Sequence, residues 1–350
     1  MLLSVGIPAR WNDDFSMSKM TGLKQIREKI FVIKNSIDFD ECAMMIFDHQ
    51  FRNNSVYHDF IISLGKDPLD ISSPEDIPYM PIEFFRNHKV VSGDYTTGII
   101  FGSSGTTGSM QSKHYVSDPG VYEESFLRSF TLFYGNPEDF IITALLPSYI
   151  ERGGSSLVYM VDNLIKRTGS SHSGFYRDNF EDLIRTINKC KEGGKKILLI
   201  GVSFALLDLA EKYSPDLSGV IVMETGGMKG RRKEITRSEL HNILKEKLNI
   251  SSVHSEYGMT ELLSQAYSSG DGIFYTPPWM KIRLRDPQDP LTMLEGTGKT
   301  GGINIIDLAN FNSCSFLSTG DLGRLREDGG FEVLGRFDNS DIRGCNLLTE

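Results

Sequence analysis

Apolar residues recur with a helical period near the start of the chain. From Met17 to about Phe60 they follow spacings of three and four, in LKQIREKIFVI and FDECAMMIFDHQF, which predicts helices. Prolines then interrupt the segment from Ser73 to Pro81, which predicts an extended crossing. These patterns together predict an N-terminal helical region over residues 1–96 that packs on the rest of the chain.

A different pattern begins at Gly98, where short apolar runs alternate with amphipathic segments. The predicted strands are TGIIFG, FIITALL, KKILLIG and GVIVME, and the predicted helices are VYEESFLRSFTLFY, SSLVYMVDNLIKR, FALLDLAEKY and KEITRSELHNILKEKL. Strands separated by helices of about ten to fifteen residues require crossover connections, which produce a mostly parallel sheet covered on both faces. The sequence therefore predicts an α/β core over residues 97–270.

After Gly270 the pattern changes again, to short strands bounded by proline and glycine. The clearest are WMKIRLR, GGINIID and FEVLGR, which predict a β-rich subdomain over residues 271–350. A chain of 350 residues, at about 150 residues per domain, is long enough for two domains or for one large domain with an appendage.

Composition narrows the function classes. The 37 Lys and Arg against 46 Asp and Glu give a net charge of −9, which argues against a nucleic-acid partner. No apolar run approaches the roughly 20 residues that a bilayer requires, and no signal peptide is recognisable, so we expect a cytoplasmic protein without stable membrane insertion. The four cysteines lie far apart, and we expect them to be reduced: Cys42, Cys190, Cys314 and Cys345.

The first chemical motif is FGSSGTTGS, residues 101–109, which follows an apolar strand and precedes Lys113. Its glycines let backbone N–H groups turn toward an anion, and its hydroxyls add donors, which suits a polyphosphate. The Gly-Lys pair of a Walker A loop is absent, and a flexible linker is the alternative. The predicted phosphate ligands are Ser103, Ser104, Gly105, Thr106, Thr107, Gly108 and Lys113.

Three further motifs follow in order. In HSEYGMTE, residues 254–261, Tyr257 is suited to stacking on a purine, Thr260 to donating to a phosphate and Glu261 to holding Mg²⁺. STGD, residues 318–321, offers a carboxylate for ribose hydroxyls, and GRFDNSDIRG, residues 335–344, ends the β-rich segment.

These four motifs in this order resemble the adenylate-forming superfamily of acyl-CoA synthetases, nonribosomal adenylation domains and luciferases. The resemblance implies ATP and Mg²⁺ as cofactors and the layered α/β fold of that superfamily's N-terminal domain. It also implies roles for particular residues: Thr225, Gly226 and Gly227 at the adenine edge, Tyr257 over the adenine, Thr260 and Glu261 at the phosphates and Mg²⁺, and Asp321 with Arg336 at the ribose.

The whole chain resembles, more closely, the acyl-protein synthetases of bacterial fatty-acid reductase complexes, the long-chain-fatty-acid–luciferin-component ligases. That resemblance rests on IPYMPIEFF, LLPSYIERGGSSLVYMV, METGGMKGRRKE, TPPWM and VLGRFDNSDIRGCNLL. It implies that a fatty acid is activated as acyl-AMP and transferred to Cys345, for delivery to a fatty-acid reductase subunit with an acyltransferase as a further partner.

The chain ends at Glu350, soon after the GRFD motif, so by this resemblance we expect it to lack the superfamily's C-terminal lid and the lid's lysine. Lys229, Arg231 and Arg232 are candidate replacement cations. Two alternatives stay open: a CoA ligase of the phenylacetate type, and a degenerate subunit that binds nucleotide without catalysis.

A weaker pattern, GVSFA around Ser203, is similar to the nucleophile elbow of α/β-hydrolases but lacks its final glycine. We expect Ser203 to cap the following helix instead. For His114, a phosphate contact and a place on the surface are both compatible with the sequence.

Overall fold

The computed structural model describes residues 17–94, 96–103, 111–146, 154–227, 232–233 and 235–337, with side chains from residue 23 onward. It begins with the predicted helices, α1 (Met17–Ile30), α2 (Ser36–Asn53) and α3 (Ser55–Ser63). Asn54 separates the last two: its amide N–H closes α2 on Gln50, and its side chain accepts from the Tyr57 amide at the start of α3. One residue therefore ends one helix and begins the next.

Two short strands and a helix follow the helical region. Strand β1 (Met80–Pro81) lies within the proline-rich crossing, and α4 (Phe84–Asn87) follows it. Strands β2 (Ile99–Gly102) and β3 (Lys113–Val116) form an antiparallel hairpin, with Gly102 opposite Lys113. The glycine-rich segment thus lies in sequence between two paired strands, and the second of these, β3, was not predicted. Strand β3 was missed because KHYV buries a histidine, which sequence patterns count as polar.

A mostly parallel sheet is confirmed, although the predicted strand TGIIFG lies in the separate hairpin and not in this sheet. Its strands are β4 (Phe140–Leu145), β5 (Gly174–Phe175), β6 (Lys196–Val202), β7 (Ile221–Thr225), β8 (His254–Tyr257) and β9 (Ala266–Ser268). They lie in the order β5-β4-β6-β7-β8-β9, and every pair is parallel except β8 with β9. The associated helices are α5 (Pro119–Tyr134), α6 (Ser156–Arg167), α7 (Phe180–Cys190), α8 (Ser203–Tyr213) and α9 (Arg237–Leu248).

A second, mostly antiparallel sheet contains the β-rich end of the chain. Its strands are β10 (Ile273–Phe274), β11 (Met280–Arg285), β12 (Met293–Leu294), β13 (Thr300–Asp307), β14 (Phe316–Leu325) and β15 (Phe331–Arg336), in the order β10-β15-β14-β13-β11-β12. Strand β1 adds to it in parallel with β14, through Met80 opposite Leu317. The sequence analysis did not predict β14, the longest strand, which carries the STGD motif.

Buried polar contacts join the N-terminal helices to this second sheet. The Gln50 side chain, which is fully buried, donates to the carbonyls of Asn310 and Phe311 and accepts from the Ser315 amide at 3.0 Å. A continuous apolar core runs beneath both sheets and these helices. The α/β class is confirmed, and among the described residues no helix is long and apolar enough to cross a membrane.

Candidate functional site

Tyr257, Asp321 and Arg336, which three separate motifs supply, meet in one hydrogen-bonded group. The Tyr257 hydroxyl donates to Asp321 Oδ2 at 2.8 Å, and Arg336 Nε donates to Asp321 Oδ1 at 2.8 Å. Asp321 and Arg336 are opposite each other on β14 and β15, while Tyr257 ends β8. The Asp321 carboxylate is buried and the Arg336 side chain is 75% exposed, so the group leads from the interior to the surface.

A buried arginine fixes the strand that carries Asp321. Arg285 donates to the Thr319 carbonyl at 2.5 Å and to Asn304 Oδ1 at 2.8 Å, and the Thr319 hydroxyl accepts from the Asp321 amide. A Cβ on Gly302 would lie 2.6 Å from the Arg285 guanidinium carbon, so only glycine leaves room for this side chain. The carboxylate is therefore placed by rigid strands, which favours a precise site.

The Tyr257 ring is held by two phenylalanines. Its centroid lies 5.9 Å from that of Phe274 and 5.6 Å from that of Phe331, both in edge-on arrangements. Burial raises the pKa of its hydroxyl well above the usual value, which keeps the hydroxyl a donor to Asp321. The sequence suggested only a stacking role for the ring, but the hydroxyl also has a defined partner.

Thr260 and Glu261 follow β8 and lie beside the base of the hairpin. Glu261 is 6% exposed, and the Ser112 hydroxyl donates toward its carboxyl. Burial raises the pKa of Glu261, while the charges of Arg336 and Arg86 oppose that shift. A cation beside Glu261 would favour the ionised form, because an opposite charge offsets the cost of burial.

Among the described residues, no group of three or more His, Cys, Asp or Glu side chains is arranged to hold a metal ion. Mg²⁺ commonly uses only one or two protein carboxylates together with phosphate oxygens and water. A single buried carboxylate at Glu261 fits that mode, so Glu261 would be the protein ligand of an ion held mainly by phosphates.

His114 is buried, contrary to a place on the surface. Its Nδ1 lies 2.8 Å from the Thr260 carbonyl oxygen, and its ring meets that of Phe85 edge-on at 5.4 Å. Burial lowers the pKa of His114 to about 4, so the ring is neutral at physiological pH. Because a carbonyl only accepts, Nδ1 must carry the proton.

The segment predicted to lie at the adenine edge, residues 225–227, lies at the end of β7. The Thr225 hydroxyl donates to Glu256 Oε2 at 2.5 Å, while Gly226 has a φ of +68° that favours glycine. Gly226 is exposed and Gly227 is half-buried. Thr225 thus contacts the residue immediately before Tyr257, and the two predicted adenine-contacting segments adjoin.

Of the glycine-rich segment, predicted to bind phosphates, the structure describes only residues 101–103. The Ser103 amide donates to the Ser112 carbonyl, and the Ser103 hydroxyl accepts from the Ser112 amide at 2.9 Å. Lys113 is exposed, and alternation along β3 points it away from the face that His114 uses. The other predicted ligands lie outside the described residues: Ser104, Gly105, Thr106, Thr107 and Gly108.

The predicted acyl acceptor, Cys345, and two of the candidate cations, Lys229 and Arg231, also lie outside the described residues. The third candidate, Arg232, bonds to Asp208 and, at 2.8 Å, to Glu211, both on α8. Arg232 is therefore committed to helix carboxylates.

The remaining cysteines, Cys42, Cys190 and Cys314, are buried and not in disulfides. Burial raises the pKa of all three, that of Cys314 to about 12. A thiol with a raised pKa is a poor nucleophile at neutral pH, because the thiolate is the reactive form.

The expected capping role of Ser203 is wrong. Val202 precedes α8 without a side-chain cap, and the Ser203 hydroxyl instead donates to Glu224 Oε2 at 3.3 Å. Glu224 is buried and also accepts from Arg237 Nε, so its charge draws the hydroxyl away from the helix amides. His241 Nε2 lies 3.7 Å from Glu224, but no bond joins His241 to Ser203 among the described residues, which does not support a hydrolase triad.

The sequence analysis missed two polar residues that hold this site, Ser112 and Arg285, and it left the role of His114 open. Ser112 and His114 alternate with more exposed positions before Val116, but because both are polar they do not form the apolar alternation that predicts a strand. Arg285 gave no local signal, because its contacts depend on how distant segments pack.

No protein-family profile and no curated protein matches the chain. Among solved structures, it is similar to a luciferase-like enzyme from the nonluminescent mealworm Zophobas morio, with 18% identity, a TM-score of 0.49, and coverage of 71% of this chain and 60% of that one. It is also similar to O-succinylbenzoate coenzyme A synthetase from Bacillus subtilis in complex with AMP, with 21% identity, a TM-score of 0.48, and coverage of 71% and 64%. The chain thus spans under two thirds of the length of either protein.

Proposed function

We propose that this protein uses ATP and Mg²⁺ to activate a carboxylic acid, a long-chain fatty acid, as its acyl-adenylate and then transfers the acyl group to Cys345. The observation that carries the proposal is the contact between motifs that lie far apart in the sequence. Tyr257 and Arg336 both bond to Asp321, and Glu261 lies within the field of Arg336 and beside Ser112 at the base of the glycine-rich hairpin.

This arrangement suits a nucleotide because different side chains suit the ribose, the base and the phosphates. Asp321 offers carboxylate oxygens for ribose hydroxyls, and Arg336 offers a positive charge on a largely exposed side chain. Thr225 ends β7 and Gly226 follows it, near the segment that carries Tyr257, which provides an edge for a flat base. The hairpin and Glu261 then face the phosphates.

The chemistry of acyl activation explains why such a site is required. A carboxylate is a poor acyl donor because its oxyanion repels nucleophiles and is a poor leaving group. In the proposed reaction, a carboxylate oxygen bonds to the α-phosphorus of ATP while the bond to pyrophosphate breaks. Mg²⁺ held by Glu261 would stabilise the negative charge on the phosphates.

In the second step, the thiolate of Cys345 attacks the acyl carbon, and AMP leaves with the bonding electrons. The product is a thioester, which retains the activation and can pass the acyl group to a fatty-acid reductase subunit, in a pathway that also uses an acyltransferase. The support for Cys345 is its match in sequence and the raised pKa of the three buried cysteines.

The test measures both steps on the full chain. Wild type is expected to catalyse fatty-acid-dependent exchange of pyrophosphate into ATP and to acquire about one acyl group per chain that neutral hydroxylamine releases. Cys345→Ser is expected to keep the exchange within a factor of about three and to lose the label, because the two steps use different groups. Cys190→Ser is the control and should keep both.

Wild type without exchange would reject the adenylation proposal. Exchange with an undiminished label in Cys345→Ser would reject the self-acylation step alone. Transfer to free coenzyme A in place of the protein would favour a CoA ligase.

A further inference from the structure

The turn that carries Thr260 and Glu261 is held by side chains from outside the four sequence motifs. His114 Nδ1 donates to the Thr260 carbonyl at 2.8 Å, and Asn310 Nδ2 donates to the Glu261 carbonyl at 2.8 Å. The Ser112 hydroxyl donates toward the Glu261 carboxyl. Both backbone carbonyls of this two-residue segment are therefore bound by side chains.

Two of these side chains come from the hairpin that carries the glycine-rich loop. Ser112 and His114 are two residues apart, so they project from the same face of the extended chain. His114 lies opposite Phe101, and Ser112 is hydrogen-bonded to Ser103, the last described residue before the loop. The base of the loop and the turn at Glu261 are thus connected through Ser112 and His114, which lie two residues apart on the same strand segment.

The surroundings of His114 make this connection rigid. The imidazole is fully buried and meets Phe85 edge-on at 88°. Behind it lies a cavity of about 10 Å³, lined by residues that include Asn310 and Asn312. A smaller side chain at this position would enlarge that cavity, so a test must separate lost volume from a lost hydrogen bond.

We propose that His114 is a positioning residue, which binds the Thr260 carbonyl and thereby fixes the turn that places the Glu261 carboxyl for the phosphates. This inference rests on the proposed adenylation. His114 does not touch the reacting atoms. It acts through the turn, as the outer partners of metal ligands do.

Two substitutions separate this role from space filling. Asn places its amide nitrogen near the position of Nδ1, whereas Gln fills more of the ring volume but places its amide nitrogen near the position of Nε2. If His114 only fills space, Gln is the better replacement. If it holds the Thr260 carbonyl, Asn is better despite the larger cavity.

The readouts are ATP affinity by calorimetry with and without Mg²⁺, amide hydrogen exchange of the peptide spanning residues 258–263, and pyrophosphate exchange. In His114→Gln, the gain in ATP affinity on adding Mg²⁺ is expected to be about tenfold smaller than in wild type, and the amides of residues 258–263 are expected to exchange faster. His114→Asn is expected to keep most of the affinity gain and most of the amide protection. Urea unfolding of both variants reports the volume effect separately.

Equal Mg²⁺-dependent affinity in the two variants, or better performance by His114→Gln, would overturn the positioning role. Wild type that neither binds ATP nor exchanges pyrophosphate would instead overturn the proposed function, and the inference with it. If His114→Gln fails to fold while His114→Asn retains wild-type affinity, the hydrogen bond is again shown to matter more than volume.

Discussion

Two buried carboxylates flank the same turn, and their surroundings differ. Asp307 accepts from the Leu263 amide at 2.7 Å, from the Ser264 amide at 3.0 Å and hydroxyl at 2.5 Å, and from the Ala309 amide at 3.2 Å. Hydrogen bonding from the Ser112 hydroxyl and from the Glu261 backbone amide lowers the pKa of the Glu261 carboxyl. Burial raises the pKa of both groups, that of Asp307 to about 6.

The comparison separates a structural carboxylate from a candidate functional one. The hydrogen bonds to Asp307 use its acceptor sites and fix the end of the turn, so little capacity remains for a ligand. Glu261 is buried at comparable cost with fewer donors, and a cation would offset that cost. The number of donors, rather than burial, distinguishes the two roles.

The largest expected effect is on stability, from Asp307→Asn. The substitution keeps the shape but turns an NH₂ group toward N–H donors, so we expect the free energy of unfolding to fall by about 3–5 kcal/mol. Urea denaturation measures it, with the exposed Asp178→Asn as a control that should change little. A loss below about 1 kcal/mol would contradict a structural role for Asp307.

Glu261→Gln should show the opposite pattern. We expect pyrophosphate exchange to fall about a hundredfold, because Mg²⁺ would lose its carboxylate ligand, while the free energy of unfolding stays within about 1 kcal/mol of wild type. Exchange kinetics and urea denaturation on the same preparations measure both. The exposed Glu295→Gln serves as the matched control. Destabilisation as large as that of Asp307→Asn would remove the distinction between the two carboxylates.

A third buried carboxylate, Glu256, should give the smallest effect, one that depends on pH. Burial raises its pKa to about 7, and the nearby Glu224 adds to the shift. The folded protein therefore binds a proton at Glu256 more tightly than the unfolded chain, so the contribution of this group to stability is greatest below about pH 4.5 and is lost as the pH rises through about 7.

Glu256→Gln should remove this part of the decline. We expect the difference in the free energy of unfolding between wild type and variant to change by about 1–3 kcal/mol between pH 5 and pH 8, as measured by urea denaturation. The Thr225 hydroxyl can still donate to the Gln side-chain oxygen, so this hydrogen bond is preserved in the variant. An unchanged difference across that pH range would mean that Glu256 is ionised throughout.

The predictable parts of the fold were those with strong periodicity. Strands β4, β6 and β7 and helices α5, α6, α8 and α9 were predicted from apolar runs and helical spacing, because these elements bury a regular face, whereas the short strand β5 and helix α7 were not predicted. Strand β3 was not predicted, since its inward-facing His114 is polar. Its burial is compensated by the Thr260 carbonyl, a partner that lies far along the chain.

The candidate site was predictable as a set of motifs but not as a network. The resemblance to the adenylate-forming superfamily implied that Tyr257, Asp321 and Arg336 contact one nucleotide, and the structure joins the three side chains by hydrogen bonds. The amino-acid sequence gave no sign that the Tyr257 hydroxyl bonds to Asp321 or that Arg285 binds the neighbouring Thr319 carbonyl. Those contacts depend on the register of β14 against its neighbours, which no local pattern encodes.

The parallel pairing of β1 with β14 has a consequence for synthesis on the ribosome. Gln50 and Met80 are made long before Asn310, Ser315 and Leu317, which supply their hydrogen-bonding and strand partners. At about 5–20 residues per second, the N-terminal helices wait on the order of tens of seconds for those partners. During that interval the buried amide of Gln50 and the edge of β1 have no native partners, so chaperone demand should be greatest before β14 leaves the exit tunnel.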